Sequence, residues 1–148
     1  MTQSMTAIQR VSPQEASDLL EQGYTFVDVR TEEEFEQGHV PGALNVPIMV
    51  RGAGGLQANP EFVEVMRAVL DAEAPIVVGC RSGGRSLRAA QELTAAGYAR
   101  VTDLRTGWDG CRDAFGRPEA GWSRVGLPVE MGAPDGQRYA ELRARRGG

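Results

Sequence analysis

Pro75-Ile76-Val77-Val78-Gly79-Cys80-Arg81-Ser82-Gly83-Gly84-Arg85-Ser86 decides how this chain is read. The run 75–79 is short, continuously apolar and closed by glycine, which predicts a strand buried on both faces. Leu87 to Ala96 then follows a helical pattern that stops at Gly97. A chain that leaves a buried strand, turns through two glycines and enters a helix points backbone N–H groups into the turn, where they favour an anion. Cys80 ends the strand and is expected to face that cradle. Arg81, Arg85 and Arg88 add formal charge, so arginines and helix N-terminus together favour the thiolate over the thiol at neutral pH. The competing reading is an inert apolar cysteine in an ordinary strand-to-helix turn. A purely structural turn, however, gains nothing from mutually repelling arginines.

Upstream of this stretch, Ser12-Pro13-Gln14-Glu15 is a capping box with proline at the first helical position, and Ala16, Leu19 and Leu20 give its helix an apolar face. Ile8 and Val11 suit a short strand before it, and Tyr24–Val29 a longer one after it. Asp28 and Arg30 fall on the same side of an extended chain, placed to form an ion pair that braces the loop beside the site. Thr31-Glu32-Glu33-Glu34 is a second capping box. The glutamates after Thr31 read as a solvated helix face rather than a metal site. Leu44–Pro47 suits a turn into a short strand, residues 51–58 a flexible glycine-rich loop with room to border the site, and Asn59-Pro60 the start of a helix bearing Phe62, Val63, Met66, Val69 and Leu70. Tyr98–Leu104 supplies another strand. Strands alternating with helices at this spacing predict an α/β domain whose central, mostly parallel sheet is covered by helices on both faces. Reactive groups in such sheets collect at the carboxyl ends of the strands, where Cys80 falls.

The totals remove whole mechanism classes. The 148 residues suffice for one ordinary core and a tail. All sixteen basic residues are arginine, so there is no lysine for a Schiff base or a Walker-type phosphate loop. The only histidine is His39, and with Cys80 and Cys111 it makes too few soft ligands for a zinc site, so no metal is expected. A net charge of −4 gives no general attraction to nucleic acid or to an anionic membrane. Without a membrane-length apolar run or a signal-like start at Met1–Ala7, the expected place is the cytoplasm, with both thiols free.

Cys-Arg-Ser-Gly-Gly-Arg-Ser resembles the active-site loop of the rhodanese family of sulfurtransferases. Asp28-Val29-Arg30 resembles the family's stretch after the first core strand, and Gly38-His39-Val40-Pro41-Gly42-Ala43 is similar to a second signature generally taken as structural. Arg105-Thr106-Gly107-Trp108 is similar to its closing Gly-Gly-Trp, with Thr106 in place of the first glycine. The resemblance implies a rhodanese-like three-layer domain over residues 7–109, followed by an irregular extension and tail over 110–148. It also implies Cys80 as the sulfur-carrying nucleophile, with Arg81, Ser82, Gly83, Gly84, Arg85 and Ser86 binding a small anionic donor such as thiosulfate, and Asp28, Arg30 and His39 in support. The acceptor would be cyanide or a thiol, a small redox protein among the candidates. Related loops in arsenate reductases and phosphatases read Cys-x5-Arg, whereas this one is Cys-x4-Arg, a narrower cradle better suited to one extra sulfur than to a tetrahedral ester. A non-catalytic binding module is the remaining alternative, opposed by the presence of the cysteine and the complete arginine loop.

Beyond the matched stretches the expectations are plainer. Cys111 lies outside the motifs between Asp109 and Asp113 and is expected to be dispensable, and 126–129 to return onto the domain. Residues 137–146 read as a frayed, solvated tail in preference to an arginine-bearing helix. Gly147-Gly148 is similar to the ends of ubiquitin-like sulfur carriers, but those require a different fold upstream, so it is read as chance.

Overall fold

Ile76–Gly79 is buried at every position, as a strand covered on both faces must be, and the sheet is built outward from it. The computed structural model describes residues 8–146; Met1–Ala7 and Gly147–Gly148, including the expected domain start at residue 7 and the terminal diglycine, lie outside the described residues. In chain order the elements are β1 (Gln9–Val11), α1 (Pro13–Glu21), β2 (Thr25–Asp28), α2 (Glu32–Gln37), β3 (Leu44–Asn45), β4 (Met49–Gly52), β5 (Gly55–Ala58), α3 (Phe62–Val69), β6 (Ile76–Gly79), α4 (Gly84–Ala95), β7 (Val101–Leu104), β8 (Gly110–Arg112), β9 (Pro118–Ala120), a 3-10 turn (Trp122–Arg124) and α5 (Tyr139–Arg143). Five strands form one sheet in the order β1-β7-β6-β2-β3, every pair parallel. Because β2, β6 and β7 run the same way in register, Asp28, Gly79 and Leu104 end on one edge of the sheet.

Successive strand residues point to opposite faces, and the core divides accordingly. On one side Val27, Ile76 and Val78 pack with Phe62, Val65 and Met66 of α3, Ala89, Ala90 and Leu93 of α4, and Leu142 of α5. On the other, Phe26 and Val77 pack with Ala16 of α1, Phe35 of α2, Leu104 and Trp122. Each large apolar side chain buried this way contributes roughly 1.5–3 kcal/mol of transfer free energy. Both capping boxes form: Ser12 Oγ accepts from Glu15 N and Glu15 Oε1 from Ser12 N, and the same reciprocal pair joins Thr31 and Glu34.

Three stretches differ from the sequence reading. The expected flexible loop at 51–58 belongs to an antiparallel hairpin in which Met49 faces Ala58 and Gly52 faces Gly55, a tight turn that the glycines permit. After Trp108 the chain is not irregular: β8 pairs with β9, and Trp122 is sealed into the second core at 2% exposure while its Nε1 donates to Pro128 O. Residues 137–146 are not a solvated tail. Tyr139 and Leu142 bury against the first core, Tyr139 Oη accepts from Asn59, and Arg143 and Arg146 pair with Glu61 at the start of α3. These anchors are invisible locally because each joins residues more than seventy positions apart. Among the described residues no helix is long and apolar enough to cross a membrane.

Candidate functional site

Cys80 follows β6 at the carboxyl edge of the sheet and is 2% exposed. Its Sγ accepts the backbone N–H of Gly83 at 3.1 Å, and its thiol is within 3.4 Å of Ser86 Oγ, which itself donates to Gly83 O. The loop 80–83 thus curls around the sulfur, and Gly83 caps α4 so that the helix's positive end begins beside it. Only glycine suits position 83. Its φ is +102°, and a Cβ there would lie 2.4 Å from Arg105 O. The loop is held from below by the chain after β7: Trp108 N donates to Cys80 O and Asp109 N to Arg81 O, a close approach in which a Cβ on Gly107 would lie 2.6 Å from the Arg81 backbone. The stretch 105–108 therefore acts as the floor of the Cys80 loop.

The expected arginines are distributed unequally. Arg85 projects from the first turn of α4 and makes a two-pronged pair with Glu34, Nη1 to Oε1 at 2.8 Å and Nη2 to Oε2 at 3.0 Å. Arg81 pairs with Asp109 at 2.7 Å and is two-thirds exposed. Arg88 lies on the outer face of α4, paired with Glu92 one turn on, so its expected contribution to the loop is replaced by a screened surface pair. Ser82 and Gly84 are exposed on the loop, and Ser86 is buried beneath it.

Asp28 and Arg30 form a buried pair at 2.8 Å, and Arg30 also donates to Gly38 O and lies over the Trp108 ring at 5.0 Å. The pair therefore ties the end of β2 to the loop floor through Trp108. Arg30, Glu34, Gln37, Arg81, Trp108 and Asp109 line a cleft of about 220 Å³ beside the Cys80 loop; the 51–58 hairpin is not among its walls. His39 is fully buried elsewhere. It stacks on Phe35, with Nδ1 at 2.8 Å from Phe35 O and Nε2 at 2.9 Å from Glu130, and so fastens the segment after Pro128 to α2. Among the described residues no cluster of three His, Cys, Asp or Glu side chains is placed to hold a metal.

Three participants were not foreseen. The sequence pattern places Glu34 on a solvated helix face with its neighbours, yet it faces Arg85. Asp109 meets Arg81, and Asp103, beside Val78 in the sheet, is a fully buried carboxylate held by Arg10, which also donates to Gly83 O. Burial pushes the Asp103 carboxyl up, opposed by the hydrogen bond and charge of Arg10. The one local signal is Glu34's place as third residue of the helix, closing the capping box; nothing in sequence marks its second partner.

With this geometry established, similarity to known proteins becomes specific. The rhodanese-like domain profile matches residues 12–114. The chain is 42% identical over 120 residues to thiosulfate sulfurtransferase 16, chloroplastic, of Arabidopsis thaliana, covering 81% of this chain and 91% of that one. It is 35% identical over 107 residues to protein HIGH ARSENIC CONTENT 1, mitochondrial, also of Arabidopsis thaliana, covering 72% of this chain and 63% of that one. Among solved structures, that of Rv0390 from M. tuberculosis superposes with a TM-score of 0.66 at 27% identity, covering 86% of this chain and all of that one. The parallel sheet, the loop 80–86 seated at its carboxyl edge and a profile match that takes in that loop and four of the five strands make this chain a member of the rhodanese-like domain family.

Proposed function

We propose that this protein is a sulfurtransferase in which Cys80 carries the transferred sulfur. The observation that carries the reading is the Gly83 N–H directed at Cys80 Sγ at 3.1 Å, at the start of α4, an arrangement that favours negative charge on that sulfur. Relatives named thiosulfate sulfurtransferase support thiosulfate or a similar sulfane donor. In the first half-reaction the Cys80 thiolate attacks the outer sulfur of thiosulfate; an S–S bond forms to Cys80, the donor's S–S bond breaks, and its electron pair leaves with sulfite. In the second, a thiolate or cyanide attacks the outer sulfur of the persulfide and Cys80 departs as thiolate. No proton has to be moved by a base, and both ring nitrogens of His39 are engaged, by Phe35 O and Glu130. Mass spectrometry of the intact protein after thiosulfate treatment tests this. One added sulfur on Cys80, removed by cyanide as thiocyanate, is expected; absence of the adduct overturns the mechanism.

The arsenic-related relative supplies the rival reading. Arsenate reduction with a thiol reductant, without any sulfur loading from thiosulfate, would reverse the assignment in favour of a Cys80-based reductase. The four-residue spacing from Cys80 to Arg85 and the engagement of Arg85 with Glu34 both favour sulfur transfer.

A further inference from the structure

Arg10, Arg30, Arg81 and Arg85, the arginines around the Cys80 loop, do not present free charge: each has its own carboxylate, Asp103, Asp28, Asp109 and Glu34 respectively. The pairs differ in kind. Asp28–Arg30 is buried and committed to Gly38 O and Trp108, while Arg81–Asp109 sits in solvent and is screened. Arg85–Glu34 lies between these extremes, with about a quarter of each side chain exposed and two parallel hydrogen bonds. Glu34 is not free to swing away, because its Oε1 also accepts from Thr31 N and Thr31 Oγ1 as part of the α2 cap. Burial opposes ionisation of Glu34, yet the hydrogen bonds from Arg85 and Thr31 hold its carboxyl at about 2. Arg85 leaves the first turn of α4 directly before Ser86, whose Oγ lies 3.4 Å from the Cys80 sulfur, so its charge belongs to the surroundings of that sulfur and is opposed by an ionised, immobilised carboxylate.

From this geometry we infer that Glu34 is a positioning residue that sets the charge selectivity of the Cys80 site. Bound to Arg85, it leaves the loop amides to attract one negative charge and holds back the guanidinium that would otherwise favour a second negative charge on the incoming reagent. The cap of α2, fifty-one residues upstream of Arg85, is thus part of the specificity of the loop. For sulfur donors the inference rests on the sulfur-transfer reading. For the thiol's discrimination between charged reagents it stands without it.

The test uses the Cys111→Ser chain, so that Cys80 is the sole thiol, and compares alkylation by anionic iodoacetate and neutral iodoacetamide at low ionic strength. Glu34→Gln is expected to raise the iodoacetate-to-iodoacetamide rate ratio by about fivefold, the scale of one uncovered charge near a surface site, and high salt should shrink the gain. Arg85→Gln, which uncovers Glu34 instead, should move the ratio below the native value, and the double variant should restore it. An unchanged ratio in Glu34→Gln, or both rates falling together, would show that the carboxylate merely supports the loop's shape. Should Glu34→Gln fail to fold, the downward shift in Arg85→Gln carries the test, and its absence overturns the inference. A second arm measures kcat/KM with dianionic thiosulfate and monoanionic methanethiosulfonate. Glu34→Gln should favour thiosulfate by a similar factor, through KM. Equal effects on both donors would overturn the inference for sulfur transfer. If neither donor loads Cys80 while the alkylation ratio shifts, the sulfurtransferase reading falls and the role of Glu34 stands.

Discussion

Cys80 and Cys111 are the two thiols of one chain, and their surroundings are nearly opposite. Cys80 is 2% exposed, yet its sulfur receives a backbone N–H and sits at the positive end of a twelve-residue helix. Cys111, on β8, is more accessible but faces a carboxylate, with Sγ 3.8 Å from Glu119 Oε1. Burial and then the Glu119 charge push the Cys111 thiol up from its ordinary value, so that it remains protonated where a nucleophile would need to be ionised. Local dipoles and charges, rather than access, therefore distinguish the sulfur proposed to carry the transfer from the other. The backbone N–H on the Cys80 sulfur favours an anion, and the carboxylate facing the Cys111 sulfur opposes one.

The largest effect should come from removing the favoured sulfur. Cys80→Ser is expected to abolish thiosulfate:cyanide sulfur transfer entirely while the thermal transition changes little, because a hydroxyl carries no persulfide. Retained turnover would break the comparison outright. Next, Gly83→Ala should displace the N–H from Cys80, since the new methyl overlaps Arg105 O and the left-handed backbone costs about 1–2 kcal/mol. A loss of more than tenfold in kcat/KM and a fall in Tm of at least ~5 °C are expected; native kinetics would mean that the cradle contributes nothing.

A smaller change should move the two thiols closer in behaviour. Burial and Glu119 hold the Cys111 thiol above its ordinary value, so its iodoacetamide reactivity should be low at neutral pH and still be climbing at alkaline pH. Neutralising the neighbouring charge lowers the pH at which the thiolate appears. Glu119→Gln should accordingly raise Cys111 alkylation at pH about 8 severalfold, read by peptide mass spectrometry. No gain would show that burial alone suppresses this thiol. The smallest effect belongs to Cys111→Ser, expected to leave turnover with a dithiol acceptor within about twofold of native. Loss of multiple turnover with single sulfur loading intact would instead make Cys111 a resolving thiol and overturn its inert assignment.

The sequence by itself determined everything written in short spacings. The two capping boxes start α1 and α2, the apolar run and double glycine place Cys80 between β6 and α4, and the alternation of strands with helices sets a parallel sheet with reactive groups at its carboxyl edge. These features rest on contacts between residues a few positions apart, where spacing and side-chain type suffice. Only the tertiary structure decided the order β1-β7-β6-β2-β3, the docking of α5 on α3, the burial of Trp122 and the partner of each arginine. With sixteen arginines and twenty carboxylates in the chain, local sequence cannot say which meet, because an ion pair is specified by two surfaces brought together after the backbone has folded. Glu34 is the sharpest case: its bond to Thr31 is legible three residues away, whereas its bond to Arg85 spans fifty-one positions and exists only because the starts of α2 and α4, packed on opposite faces of the sheet, meet at its carboxyl edge.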